Sequence, residues 1–332
     1  MLVATLARAA DAPSKLPALP LDARAVTVSG VSSGGAMAVQ FHVADSALVQ
    51  GVAALAAPPY RCAEGSVANG LGRCMKDGAA IPLDALREQA VKLADAGVID
   101  PLDGLRDARV WLYRGAADPV VHASVVDALE HFYGRYVDAP ALRRIERDGA
   151  GHNFPVATVG ASNCDASEPP YIASCGYDAA RALLEHLYGS LAPNAASAAE
   201  GELREFDQRP YAQASGSVAF DDRGWLYVPT SCAEAGTGTK CRLHVVFHGC
   251  RQGASFVDDK FVRGAGYLDV ADTNQIVVLF PQVKPTTSPL NPLGCWDWWG
   301  YEGADYATQS GRQVRAVRAM IADLMQTHGK AR

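Results

Sequence analysis

Residues 25–45 read AVTVSGVSSGGAMAVQFHVAD, and the reading of this stretch decides the fold. AVTVS, residues 25–29, predicts a short buried strand, and the small, apolar SSGGAMAVQFHVAD after it predicts a helix. At the junction stands Gly30-Val31-Ser32-Ser33-Gly34, the only G-x-S-x-G in the chain. A serine on a sharp strand-to-helix turn needs very small neighbours two residues to either side. The next amide, that of Ser33, then points with the helix N-terminus toward a developing oxyanion. The plainer alternative is a Gly/Ser turn in which Ser32 or Ser33 caps the helix.

A serine nucleophile needs a base and a group to orient it, in the chain order serine, acid, histidine when the fold is an α/β-hydrolase. RVWLYRG (109–115) predicts a strand, and Asp118 lies three residues beyond it. LRRIER (142–147) predicts another, and His152 lies five residues beyond that one. Both positions follow strands, where parallel sheets present active sites. Asp118 has a bland alternative as the N-cap before Pro119, and His152 as an ordinary loop histidine. The remaining histidines fit less well. His42, His131 and His186 fall on predicted helices, His122 in a first turn and His328 near the terminus. His244 and His248 share a strand face, but without an H-E-x-x-H pattern or a nearby carboxylate no metal site is expected.

Further strands are predicted at 51–56, 224–229, 242–249 and 275–281, and helices at 83–95, 119–136, 177–189, 256–270 and 305–327. This alternation predicts an α/β fold with a mostly parallel sheet covered on both faces. Residues 60–108 read as an insertion, either a lid or a scaffold, and about 190–205 as a connector.

The 332 residues are 49% hydrophobic and 20% charged, with a formal net charge of −6. That balance and the lack of a Lys/Arg block exclude a nucleic-acid partner. No apolar run approaches the ~20 residues of a membrane span. Eight cysteines fall in neighbouring couples. Because short loops close at least entropic cost, the expected pairs are Cys62–Cys74, Cys164–Cys175, Cys232–Cys241 and Cys250–Cys295; free buried thiols are the alternative. Disulfides imply export. Residues 1–24 are expected to be an N-terminal segment with a possible signal remnant, and 25–332 a single catalytic domain.

The segment VVFHGCRQ (245–252) has the character of a hydrolase oxyanion loop, yet it follows Ser32 instead of preceding it. A hydrolase cut before its nucleophile strand, with the old ends joined through 190–205, has every element once. The alternative is two separate domains, one of them half a sheet with exposed edges.

Five pieces together resemble one family: S-G-V-S-S-G-G-A-M, R-G-x-x-D-P-V-V, G-H-N-F-P, H-G-C-R-Q and G-C-W-D-W-W-G-Y. They span nearly the whole chain in consistent order. The sequence resembles the circularly permuted, single-domain poly(3-hydroxybutyrate) depolymerases of the α/β-hydrolase superfamily. The resemblance implies Ser32 as nucleophile, His152 as general base, Asp118 as its orienter, and the amides of Ser33 and Cys250 as oxyanion donors. It implies a secreted protein, with the periplasm as the alternative location, that uses no cofactor and acts on an insoluble polyester or its oligomers. With no room for a separate binding module, polymer adsorption is expected from the catalytic domain's own surface, and a monomer is expected. Trp298 and Trp299 are expected in the substrate crevice, while Trp296 is equally compatible with the core and Tyr301 is a weaker candidate. The alternative functions are a feruloyl or acetyl esterase acting on plant polysaccharide and, from another class, a non-catalytic hydrolase-fold binding protein.

Overall fold

The structure, a computed structural model, describes residues 15–158, 161–194, 199–233 and 240–326. The apolar N-terminal stretch, part of the connector, the last residue of the expected terminal helix and His328 lie outside the described residues.

The front half runs β1 (Leu21–Val31), α1 (Ser33–Ala44), β2 (Val49–Leu55), α2 (Val67–Leu71), α3 (Leu83–Asp95), β3 (Arg109–Gly115), α4 (Ala123–Tyr133) and β4 (Leu142–Arg147). An excursion of short strands follows, β5 (Phe154–Val156), β6 (Ser162–Asn163) and β7 (Ile172–Ser174), then α5 (Ala179–Tyr188). The back half runs β8 (Glu202–Asp207), α6 (Arg209–Ser215), β9 (Arg223–Val228), β10 (Cys241–Phe247), α7 (Ala254–Val257), α8 (Lys260–Gly264), α9 (Tyr267–Thr273), β11 (Ile276–Phe280) and α10 (Arg312–Met325). The main sheet has the order β4-β3-β2-β1-β10-β11-β9-β8. Strands β4 to β11 in that order run parallel, and β9 and β8 are antiparallel additions at one end. This is an α/β fold with a mostly parallel central sheet.

Alternation along the strands assigns side chains to two cores. Val26 and Val28 of β1, Leu243, Val245 and Phe247 of β10, and Val277 and Leu279 of β11 pack beneath α1, α4 and α10. The intervening residues Val31, Val246, Ile276, Val278 and Phe280 pack on the other side with α5, α8 and α9. Every residue of α1 is buried, so this helix has no solvent face. Its first residues must be small. A Cβ on Gly34 would lie 2.1 Å from the Phe247 carbonyl oxygen, and one on Gly35 would lie 2.9 Å from Ala57 Cβ. At the outer edge, β4 carries Arg143, Arg144, Glu146 and Arg147, charges that discourage pairing with another chain.

Three readings change. The connector contains a strand, because 202–207 forms β8 and pairs antiparallel with β9. Its sequence, ELREFD, carries few β-branched or aromatic residues because it is an outer strand. The single helix expected at 256–270 is three short ones, broken at Asp258 (φ 53°) and Gly266 (φ 83°). The terminal helix begins at Arg312 instead of 305, after Gly311, where a Cβ would meet the Tyr306 carbonyl oxygen at 2.5 Å.

The disulfides are Cys62–Cys74, Cys164–Cys175, Cys232–Cys241 and Cys250–Cys295, the four sequential pairs, and they leave no free cysteine. Alkylation of the denatured, unreduced protein should therefore leave its mass unchanged, and reduction should expose eight alkylable thiols. Labelling without reductant would contradict the pairing.

Candidate active site

The carboxyl ends of the parallel strands deliver the predicted residues to one place. Ser32 follows β1 directly with φ 57° and ψ −120°, a conformation that non-glycine residues rarely adopt. What holds it is the close passage of the chain around it. A Cβ on Gly30 would sit 2.2 Å from the Gly34 carbonyl oxygen, so the strand end and the first turn of α1 nearly touch. Both glycines of the motif are thus required by contact with backbone, and Ser33 is the first residue of α1.

Asp118 follows β3. Its Oδ1 accepts hydrogen bonds from the Val120 and Val121 amides at 2.7 and 3.0 Å, which fixes the carboxylate plane. Its Oδ2 lies 2.8 Å from His152 Nδ1, and the Asp118 side chain is fully buried. A carboxylate can only accept, so Nδ1 carries the proton and Nε2 is left with its lone pair. The histidine loop is clamped by the excursion that follows. The His152 amide donates to Ser167 Oγ at 2.8 Å, and Asn153 Nδ2 donates to the Cys164 and Ala166 carbonyls at 2.7 and 2.8 Å. The Tyr171 ring stands edge-on to the imidazole.

From the back half, β10 ends in His248-Gly249-Cys250. A Cβ on Gly249 would lie 3.2 Å from the Val31 carbonyl oxygen and 3.5 Å from Ser32 Cβ, so this turn abuts the serine. Cys250 is tied to Cys295, at the start of the tryptophan segment. Ser32, Ser33, His152, Cys250, Trp298 and Trp299 all border one cavity of about 400 Å³, within the range of small-molecule sites. Most of its remaining lining is apolar. Residues 60–108 supply one wall through Val67, Gly70, Leu71 and Met75, so the insertion shapes the cavity.

Trp296 is wholly buried in the core against Phe247, with ring centroids 4.9 Å apart. Trp298 and Trp299 border the cavity, Trp298 while also buried in the same core as Trp296, and a tight turn closed on Asp297 runs through this segment. The Asp297 carboxylate accepts the amides of Gly300, Tyr301 and Glu302 at 2.6, 2.9 and 2.9 Å. Burial pushes this carboxyl up to about 7 against the opposing pull of those three N–H donors. Tyr301 lies behind the wall, donating to the Cys295 carbonyl.

The sequence reading did not single out Asn153, Ser167, Tyr171, Gln252 or Asp297. Asn153, Ser167 and Tyr171 act through contacts between loops, Gln252 bridges its own turn to the Pro170 carbonyl, and Asp297 closes a local turn; none has a spacing signal of its own. His244 serves the interior. Its ring nitrogens meet the hydroxyls of Thr27 and Ser29, both at 2.7 Å, and burial pushes its pKa down to about 3.

A strained serine, an imidazole held by a buried carboxylate and the Gly249 turn against the serine meet at one cavity, parts of a kind that acyl transfer can use. No protein-family model matches the chain. It is 43% identical over 309 residues to a poly(3-hydroxybutyrate) depolymerase of Delftia acidovorans, and 32% identical over 332 residues to a polyhydroxybutyrate depolymerase of Talaromyces funiculosus. The match covers 92% and 96% of this chain respectively, 60% of the Delftia protein and 95% of the Talaromyces protein. The chain belongs to the poly(3-hydroxybutyrate) depolymerase family. The crystal structure of a depolymerase from Penicillium funiculosum superposes with a TM-score of 0.86 at 30% identity, covering 94% of this chain and 99% of that one. A depolymerase carrying a serine-to-alanine substitution, complexed with an R3HB trimer, matches with the same score. Depolymerases of this family are ester hydrolases, and the chain spans 60% of the length of the Delftia member.

Replacing Asp297 by Ala would leave three backbone N–H groups without their acceptor, at about 1–3 kcal/mol for each that stays buried. We expect a lower thermal midpoint and a red-shifted tryptophan emission. An unchanged midpoint and spectrum would contradict the dependence of the tryptophan turn on this carboxylate.

Proposed function

We propose that this chain is a secreted serine esterase that hydrolyses poly(3-hydroxybutyrate) or a related short-chain polyhydroxyalkanoate. The observation that carries the reading is the junction of Ser32, the His152–Asp118 pair and the Cys250 turn at one apolar cavity. Ser32 is the nucleophile. His152 Nε2 takes its proton during attack on the ester carbonyl, and Asp118 holds the imidazole tautomer and stabilises the imidazolium. The Ser33 and Cys250 amides receive the oxyanion, each donor worth about 2.7–4 kcal/mol in the transition state. His152 then returns the proton to the leaving alkoxide, and water activated by the same imidazole splits the acyl-enzyme.

The substrate assignment rests on the lining. A neutral, methyl-bearing polyester offers little to ion pairs and suits the apolar walls made by Trp298, Trp299 and the insertion. Around the same cavity stand Val67, Leu71, Leu290 and Leu293, large apolar side chains left in solvent, with Leu290 71% and Leu71 60% exposed. Such a rim would adsorb an insoluble apolar surface.

The fold is read here as a single-domain α/β-hydrolase of permuted connectivity. The Leu19 amide donates to the Leu324 carbonyl at 2.8 Å, so the last turn of α10 lies against the entry to β1. Joined there and opened before β8, the chain would run β8, β9, β10, β11, β1, β2, β3, β4. The turn bearing Cys250 would then follow the third strand and precede the nucleophile, the hydrolase arrangement.

Clearing of a polyhydroxybutyrate suspension tests the activity. The wild type should clear it, and Ser32→Ala should lose about 10⁴-fold or more of the rate. Preference for methyl ferulate over 3-hydroxybutyrate oligomers would remove the substrate assignment in favour of a plant-polysaccharide esterase. For the rim, Leu71→Ser combined with Leu290→Ser should reduce clearing severalfold while turnover of soluble oligomers stays near wild type; equal loss on both would contradict an adsorption role.

A further inference from the structure

The oxyanion turn contains a fully buried histidine that the mechanism above does not use. His248 Nδ1 lies 2.7 Å from the carbonyl oxygen of its own neighbour Gly249, and the Val283 amide donates to His248 Nε2 at 3.1 Å. The carbonyl can only accept, so Nδ1 must carry a hydrogen. The Val283 N–H can only donate, so Nε2 must be bare. Both contacts are satisfied together only by the uncharged Nδ1–H ring, and burial, which pushes the pKa of this imidazole down to about 4, agrees with that state. The ring has no room to turn. A Cβ on Gly253 would lie 2.7 Å from its Cε1, and the Trp296 ring packs on it with centroids 5.7 Å apart.

The Gly249 carbonyl and the Cys250 amide belong to one planar trans peptide, and they point in opposite directions. Whatever fixes the carbonyl therefore aims the N–H. The residue before this peptide is a glycine, which has little steric preference and lets the plane turn over at low cost. We propose that His248, as the Nδ1–H tautomer, is the positioning residue that holds the Gly249–Cys250 peptide with its N–H directed at Ser32. The inference rests on the reading of Cys250 as an oxyanion donor.

Two further ties secure the turn without aiming this peptide. Gln252 Oε1 accepts the Gly249 amide at 2.7 Å, and its Nε2 donates to the Pro170 carbonyl at 2.9 Å, beside the segment that carries Tyr171. The disulfide anchors Cys250 through its side chain. The Gly249 carbonyl also accepts the Gln252 amide at a longer 3.3 Å, and His248 at 2.7 Å is the side chain that holds it among the described residues.

The test combines ring spectroscopy with two variants. Imidazole ¹⁵N NMR of the full chain should show His248 protonated at Nδ1 only, in the wild type and in Ser32→Ala alike. His248→Asn keeps an N–H donor near the Nδ1 position, whereas His248→Gln places its amide toward Nε2. With a soluble p-nitrophenyl ester, His248→Gln should lose up to about 10²–10³-fold in kcat, the effect of one missing oxyanion donor, with KM little changed. His248→Asn should recover most of that loss. An Nε2–H ring in an active wild type, or a folded His248→Gln with wild-type kcat, would overturn the proposal and leave the esterase reading standing. If His248→Gln does not fold, the ring spectrum and the His248→Asn kcat decide. A wild type that hydrolyses no ester and leaves Ser32 unreactive to a phosphonate would overturn the esterase reading, and this inference with it.

Discussion

The parallel pairing of β1 with β10 is the constraint on which the rest of the structure depends. It runs from Val26 against Leu243 to Gly30 against Phe247, and it joins the front and back halves of the chain into one sheet. At its upper end the two strands leave in different directions, β1 into Ser32 and β10 into His248-Gly249-Cys250. Gly34 is pressed onto the Phe247 and His248 carbonyls, so the entry of α1 and the exit of β10 are fitted to each other with no side chain between them. A shift of one residue in this register would turn Val26 and Val28 out of their core and carry the turn bearing Cys250 away from the serine.

The features around that seam share one physical character: they hold backbone in place. Asp118 orders two amides as well as the imidazole, Asp297 orders three, and Gln252 and His248 take the two ends of Gly249 between them. Acyl transfer gains most from dipoles that are already aimed before charge develops, so rigidity of this kind serves the proposed chemistry directly. The apolar rim has the opposite character. Leu71 and Leu290 sit at the cavity mouth in solvent, where folding alone would not favour them.

Much of this was legible in the sequence because it was local. The strands RVWLYRG and LRRIER appear as β3 and β4 with the expected bounds, and the G-x-S-x-G context placed a sharp turn between a strand and a helix. Pairing the cysteines in sequence order gave the observed set, with three short loops and Cys250–Cys295 as the remaining, longer one. What escaped was set by tertiary contact. The edge strand β8 shows no apolar run because one side of it meets water, and the short excursion β5–β7 is defined by its clasp on the histidine loop. The breaks at Asp258 and Gly266 interrupt a stretch whose apolar spacing suits one continuous helix. Trp296 is fully buried while Trp298 and Trp299 line the cavity, and the acceptor role of Asp297 between them is invisible in G-C-W-D-W-W-G-Y.

The central claim is that a hydroxyl from the front half and an amide from the back half act on the same carbonyl group, the hydroxyl on its carbon and the amide on its oxygen. A crystal structure of the protein after reaction with a phosphonate ester tests it most directly. The account predicts phosphorus bonded to Ser32 Oγ, with the phosphoryl oxygen about 2.7–3.1 Å from both the Ser33 and Cys250 nitrogens. An adduct on another residue, or a phosphoryl oxygen turned away from Cys250, would contradict it.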